Sequence, residues 1–211
     1  MVEDFGLTKE ELEVLKKLDG PKKIQDFLDT FKINFEEEGE TCMSPRKVLQ
    51  AGKCHCIEAA FLAALALRIN GFEPLVVDLR AVQNDFDHVI CVFKKNGKYG
   101  CISKSNHAAH RYREPIYRDV RELVMSIFHE YIDKKGRKNL RSFSVPVNLS
   151  KFDSLNWATS EEDLWEIAEA LDDAKHFDIL TRAEIASLRK ADKIEIDVGN
   201  VTEYKDPIKR F

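Results

Sequence analysis

The stretch GKCHCIEAAFLAALALRINGFEP, residues 52–74, decides the architecture. From Cys56 to Ile69 nearly every position is apolar or alanine. A helix that is hydrophobic around most of its circumference belongs inside a domain rather than on its surface. The spacing therefore predicts a central buried helix that begins at Cys56 and ends at Gly71. Just upstream, Ser44-Pro45 supplies an N-cap serine and a proline at the first helical position. That pair opens a short helix through Val48 and Leu49, which Gly52 closes.

Downstream, PLVVDLRAV (74–82) reads as a strand of β-branched and leucine residues. DHVICVFKKNGKYGCIS (87–103) reads as a hairpin, since Asn96-Gly97 is the dipeptide best suited to a two-residue type I′ turn. With Lys95 facing Lys98, the pairing runs back to Ile90 opposite Ser103 and His88 opposite Ser105. Cross-strand partners share a face. His88, Ile90 and Val92 then lie on one side with Cys101, Ser103 and Ser105, and Cys91 falls on the side opposite Cys101.

Before this core, Thr8 and Glu11 have capping-box spacing for a helix over 8–18, and Ile24, Phe27, Leu28 and Phe31 give one face to a helix over 22–31. NFEEEGETC (34–42) is an acidic loop. After the core, NHAAHRYREPIYR (106–118) is basic and aromatic, and a helix is expected over 117–132. RSFSVPVNL (141–149) reads as a short strand. Ser160 with Asp163 and Thr181 with Glu184 each have the spacing that opens a helix. The closing KIEIDVGNVTEYKDPIKRF alternates briefly and then becomes a polar tail. Helices and an antiparallel hairpin together indicate an α+β class.

The 211 residues are 44% hydrophobic, enough to bury a real core. The 33 Lys plus Arg against 37 Asp plus Glu leave a formal charge of -4, so nothing drives a general attraction to nucleic acid or to anionic lipid. No stretch approaches the roughly 20 apolar residues needed to cross a bilayer. The opening MVEDFGLTKEELEVL lacks the basic start and apolar run of an export signal. A cytoplasmic protein is expected, with no membrane and no nucleic-acid partner. The five cysteines are an odd number and read as free thiols.

The start of a helix offers unpaired N–H groups and partial positive charge, which favour a thiolate and can bind the oxyanion formed when a carbonyl is attacked. Cys56 sits at such a start. His88 is the histidine that follows it within a regular element. Cys54-His55-Cys56 is too tight for three zinc ligands and no matching pair follows, so no metal is expected. Glu58, charged in a buried pattern, needs a partner: Arg68, Arg80 or a backbone amide. The plainer readings stand beside these, since cysteine is among the most buried residue types and strand histidines are commonly structural.

Residues 52–74, with the hairpin DHVICVFKKNGKYG, resemble the transglutaminase-like core, in which a cysteine opens a helix that ends in an arginine and a glycine before an apolar strand. Counting back from Arg68 and Gly71, the family's cysteine falls on Cys56, and the hairpin places the family's base on His88. The resemblance implies an α+β transglutaminase-like/papain-like core over 1–150. In it, the cysteine helix packs on an antiparallel sheet with extra N-terminal helices, and a C-terminal helical extension over 151–211 packs on the same core. It also implies acyl transfer or amide hydrolysis through a thioester, with no cofactor, on a peptide or protein amide substrate. The family's aspartate position, counted from Tyr99, is occupied by Ser103. Ser103 can orient an imidazole without supplying charge. Asn106 is the preferred substitute, although the hairpin register puts it on the opposite face unless the strand ends or bulges at Ser105. His107, Arg111 and Tyr112 are candidate substrate-binding residues, with a solvated loop as their alternative. The missing aspartate also allows a different class of function, a catalytically inactive scaffold that binds a peptide or protein. Oligomeric state and substrate are left open.

Overall fold

The structure, a computed structural model, describes residues 4–83 and 85–207. The elements are α1 (Lys9–Lys16), α2 (Pro21–Asp29), β1 (Lys32–Ile33), α3 (Pro45–Ala51), β2 (Lys53–Cys54), α4 (Cys56–Ile69), β3 (Leu75–Arg80), β4 (His88–Lys95), β5 (Lys98–Ile102) and β6 (Arg113–Tyr117). They continue with α5 (Val120–Phe128), β7 (Ser142–Ser144), β8 (Val147–Asn148), a 3-10 turn (Leu149–Leu155), α6 (Trp165–Asp172), β9 (His176–Asp178), α7 (Arg182–Ser187) and α8 (Lys193–Gly199). The class is α+β with an antiparallel sheet.

Local chemistry sets the element ends. Thr8 and Glu11 close a reciprocal capping box on α1, and Ser44 Oγ accepts from the Lys47 N–H at the start of α3. Asn96 and Gly97 both take positive φ, 51° and 76°, as a type I′ turn requires. Lys95 accordingly pairs with Lys98, and Cys91 with Ile102.

The main sheet runs β6-β5-β4-β3-β7-β9, with β8 also paired to β3. β7 and β8 both pair with β3, at its opposite ends. Pro146, which has no N–H to give a ladder, stands between them. Side-chain alternation divides the core in two. Val76, Val89, Cys91, Phe93 and Ile102 pack with α4 and the N-terminal helices, and Trp157, Leu164, Ile167 and Leu171 from beyond residue 150 join the same cluster. Val77, Leu79, Ile90, Val92 and Cys101 pack with Leu123, Val124, Ile127 and Phe128 of α5. Helix α4 is buried along Glu58 to Leu67, so its only partly exposed turns are at its ends.

Five segments differ from expectation. The helix expected over 117–132 spans only Val120–Phe128: Asp119 caps its start, and Tyr117 belongs to the edge strand β6. Ser160 does not open α6; its hydroxyl is taken by the Glu162 N–H, and the helix starts at Trp165. The alternation after Lys193 is helical, because Asp192 and Glu195 form a capping box that outweighs a short period-2 pattern. Finally, β9 and the 3-10 turn carry no periodic signal. The end of the polar tail, 208–211, lies outside the described residues.

Gly100 sits in a bulge where β6 crosses β5. A methyl group there would lie 2.6 Å from the Arg113 carbonyl oxygen and 2.9 Å from the Pro115 nitrogen, both backbone atoms that cannot swing aside. Gly100→Ala is expected to cost about 2 kcal/mol of stability, measured as a lowered denaturant midpoint at unchanged slope.

Candidate active site

Two short elements aim the start of α4. β1 and β2 pair in parallel, Ile33 opposite Cys54, and the Asn34 N–H donates to the Cys54 carbonyl at 3.1 Å. Cys54 is thereby buried and its neighbour His55 becomes the N-cap of α4, with Cys56 as the first helical residue.

The carboxylate of Glu58, with no exposure, ties this start to the acidic loop. It accepts from the His55 N–H at 2.9 Å, the Met43 N–H at 3.1 Å and the Thr41 hydroxyl at 2.7 Å. Of the partners expected for Glu58, the backbone amide is the one found. Arg68 instead pairs with Asp153 at 2.6 Å, and Arg80 with Asp78 at 3.5 Å. Burial by itself would push the Glu58 carboxyl up. The hydrogen bonds and charge of His55, with the Thr41 hydroxyl, bring it down to about 2.

His88, the first residue of β4, is buried, and its Nε2 lies 2.7 Å from Ser103 Oγ. Ser103 Oγ in turn donates to the His110 carbonyl at 2.6 Å. A carbonyl only accepts, so the single hydroxyl proton of Ser103 is committed there and Oγ must accept from His88 Nε2–H. The chain of donors thus protonates Nε2 and leaves Nδ1 as the basic nitrogen of neutral His88. His110 holds a left-handed backbone, φ 57°, and its N–H is pinned by Glu130 at 2.7 Å. Its ring stacks on Tyr131 at 4.2 Å and stands 5.5 Å from the ring of His88. Burial, with the charges of His88, His107 and Arg113, takes the His110 imidazole down to about 3, so it stays neutral.

Among the five cysteines Cys56 alone is a partly exposed residue, and its thiol is itself enclosed. Burial would raise it; hydrogen bonding to His55 and His88, and the charges of both rings, carry it well below the usual thiol value. Cys42, Cys54 and Cys101 are pushed up to about 12 and Cys91 well above the usual thiol value, in each case chiefly by burial. These four are inert core sulfurs.

The structure brings together Cys56, His88 and Ser103. Asn106 stands apart from His88: its side chain clasps Tyr204, Nδ2 donating to the carbonyl at 3.0 Å and Oδ1 accepting from the N–H at 2.9 Å. β5 ends at Ile102, so strand register no longer governs Asn106, and its amide is taken up by the C-terminal segment instead. His107, Arg111 and Tyr112 are engaged by the chain itself. His107 Nδ1 donates to the Gly199 carbonyl at 2.8 Å, Arg111 reaches Ser105, Asp29 and Glu203, and the Tyr112 ring stacks on Phe93 at 6.0 Å. The residue that sequence reasoning missed is His55, weighed only as a metal ligand; its place beside Cys56 at a helix start was the available signal. Among the described residues no three His, Cys, Asp or Glu side chains are grouped so as to hold a metal ion, and no helix is long and apolar enough to cross a membrane.

Because the folded carboxyl of Glu58 titrates below its ordinary value, the stability it contributes is present above about pH 4.5 and is lost as pH falls toward 2. Glu58→Gln should cost about 3 kcal/mol at neutral pH. The gap from wild type should close on acidification, read from denaturation midpoints across that pH window.

No protein-family model and no curated protein matches the chain.

Proposed function

We propose that the chain is a cysteine-dependent acyl-transfer or amide-hydrolysing enzyme of transglutaminase-like type, with Cys56 as nucleophile and His88 as base. The observation that carries the reading is the one cysteine thiol held well below its ordinary pKa, at the start of a 14-residue helix beside an imidazole whose far nitrogen is tied off by Ser103. The ordered pattern of cysteine helix, apolar strand and histidine hairpin supports the family resemblance.

In this reading the Cys56 thiolate attacks the carbonyl carbon of a peptide or protein amide, and N–H groups at the start of α4 bind the oxyanion. His88, carrying the proton, delivers it to the leaving amine as the C–N bond breaks, and an acyl thioester on Cys56 remains. Water then attacks the thioester while His88 takes its proton, and the carboxylic product leaves with Cys56 restored. Hydrolysis is favoured over transfer to an amine because no feature marks a second amine site. Free thiols and a low-pKa nucleophile suit the reducing cytoplasm. The second reading, an inactive peptide-binding scaffold, draws on the neutral hydroxyl at His88 Nε2, which stabilises an imidazolium less than a carboxylate does.

A generic activated ester, p-nitrophenyl acetate, separates the two. An enzyme gives a burst of nitrophenolate, an acetyl group mapped to Cys56 and then steady turnover. Cys56→Ala removes the burst, and His88→Gln slows turnover by about 10²–10⁴-fold. Slow acetylation spread over thiols and lysines, indifferent to both substitutions, would establish the scaffold instead.

A further inference from the structure

Cys56 meets two imidazoles, and their surroundings differ. At His88 the far nitrogen touches a neutral hydroxyl, and the neighbouring ring of His110 is held neutral. At His55, Nε2 donates to the Thr41 carbonyl at 2.9 Å and lies 3.4 Å from Glu58 Oε1 and 3.6 Å from Glu36 Oε1. The carbonyl commits Nε2 to N–H, and two carboxylates gathered on that side favour a second proton on the ring. The ring also hydrogen-bonds Cys56, its neighbour in the chain. The side chain is only 21% exposed, so bulk water screens these charges weakly.

We propose that His55 is a second catalytic imidazole, a standing cation that holds the free Cys56 sulfur as the thiolate before attack and after the acyl group leaves, while His88 alone moves the proton. This deepens, and rests on, the enzyme reading of Cys56. One histidine cannot perform both tasks well: a base must give up its proton near neutral pH, whereas a group that keeps a thiolate charged must not. Here the tasks are divided, with Glu58 and Glu36 behind the fixed charge and Ser103 behind the mobile one. The shift of His55 itself agrees. Burial would lower it, but hydrogen bonds to Cys56 and Glu58 raise it to about 11. The other titratable groups that sense this pair are Tyr131 after α5 and the thiols of Cys42 and Cys54, all held in their neutral forms by burial. The Lys104 ammonium, buried without a hydrogen-bond partner, adds positive charge near Cys54.

The test needs no substrate: iodoacetamide labelling of Cys56 by peptide mapping, together with ultraviolet thiolate absorbance, across pH. In His55→Asn, which keeps an amide in reach of the sulfur without the charge, the Cys56 titration should move up toward the ordinary thiol range. Labelling near pH 6 should slow by about tenfold, the loss of thiolate being partly offset by the greater nucleophilicity of a more basic one. In His88→Gln the titration should rise less than in His55→Asn and labelling change by less than about threefold, although ester turnover slows by about 10²–10⁴-fold. Circular dichroism and thermal midpoints verify that both variants remain folded, and His55→Gln serves if the asparagine variant does not. A wild-type thiolate that survives loss of His55 but not loss of His88 would overturn the assignment of His55 alone. A wild-type Cys56 titrating as an ordinary thiol would overturn the enzyme reading with it.

Discussion

A carboxylate with no exposure to water anchors the site. Glu58 takes N–H groups from His55 and Met43 and a hydroxyl from Thr41, so one charged group organises the first turn of α4, the N-cap and the loop that precedes α3. Burying a carboxylate is tolerable only when its lone pairs are met by donors and its charge by a cation, and His55 completes that set at 3.4 Å. The same constraint that closes the helix start thus fixes the ring beside Cys56. Stability of the helix end and chemistry of the thiol are one electrostatic problem.

The rest of the fold serves to bring a second ring to that point. Side-chain alternation along β4 sends Val89, Cys91 and Phe93 toward α4 and Ile90 and Val92 toward α5. His88 is the first, buried residue of that strand. There the direction of hydrogen bonding, from His88 through Ser103 to the His110 carbonyl, selects a tautomer without any carboxylate. The left-handed backbone of His110, unusual for a side chain of that size, is what turns its carbonyl toward the serine.

Most of the scaffold was legible because its signals are local. The all-apolar run of α4, the Asn96-Gly97 turn with its register, and the caps at Thr8, Ser44 and Thr181 each depend on residues within a few positions of one another. The errors fell where tertiary contact overrode a local pattern. Arg113–Tyr117 was claimed by the edge of β5 before α5 could extend over it, and β9 exists because β7 offers it a partner. Asn106 illustrates the same limit, since its clasp on Tyr204 joins positions 98 residues apart.

From sequence alone came the place of Cys56 at a helix start and the face shared by His88 and Ser103, because helical and strand periods dictate which side chains point the same way. Only the folded chain decided which group holds the far nitrogen of His88, and that His55 faces the thiol with carboxylates behind it. Those outcomes turn on the direction of hydrogen bonds and the nearness of charges from distant segments, and periodicity carries no information about either.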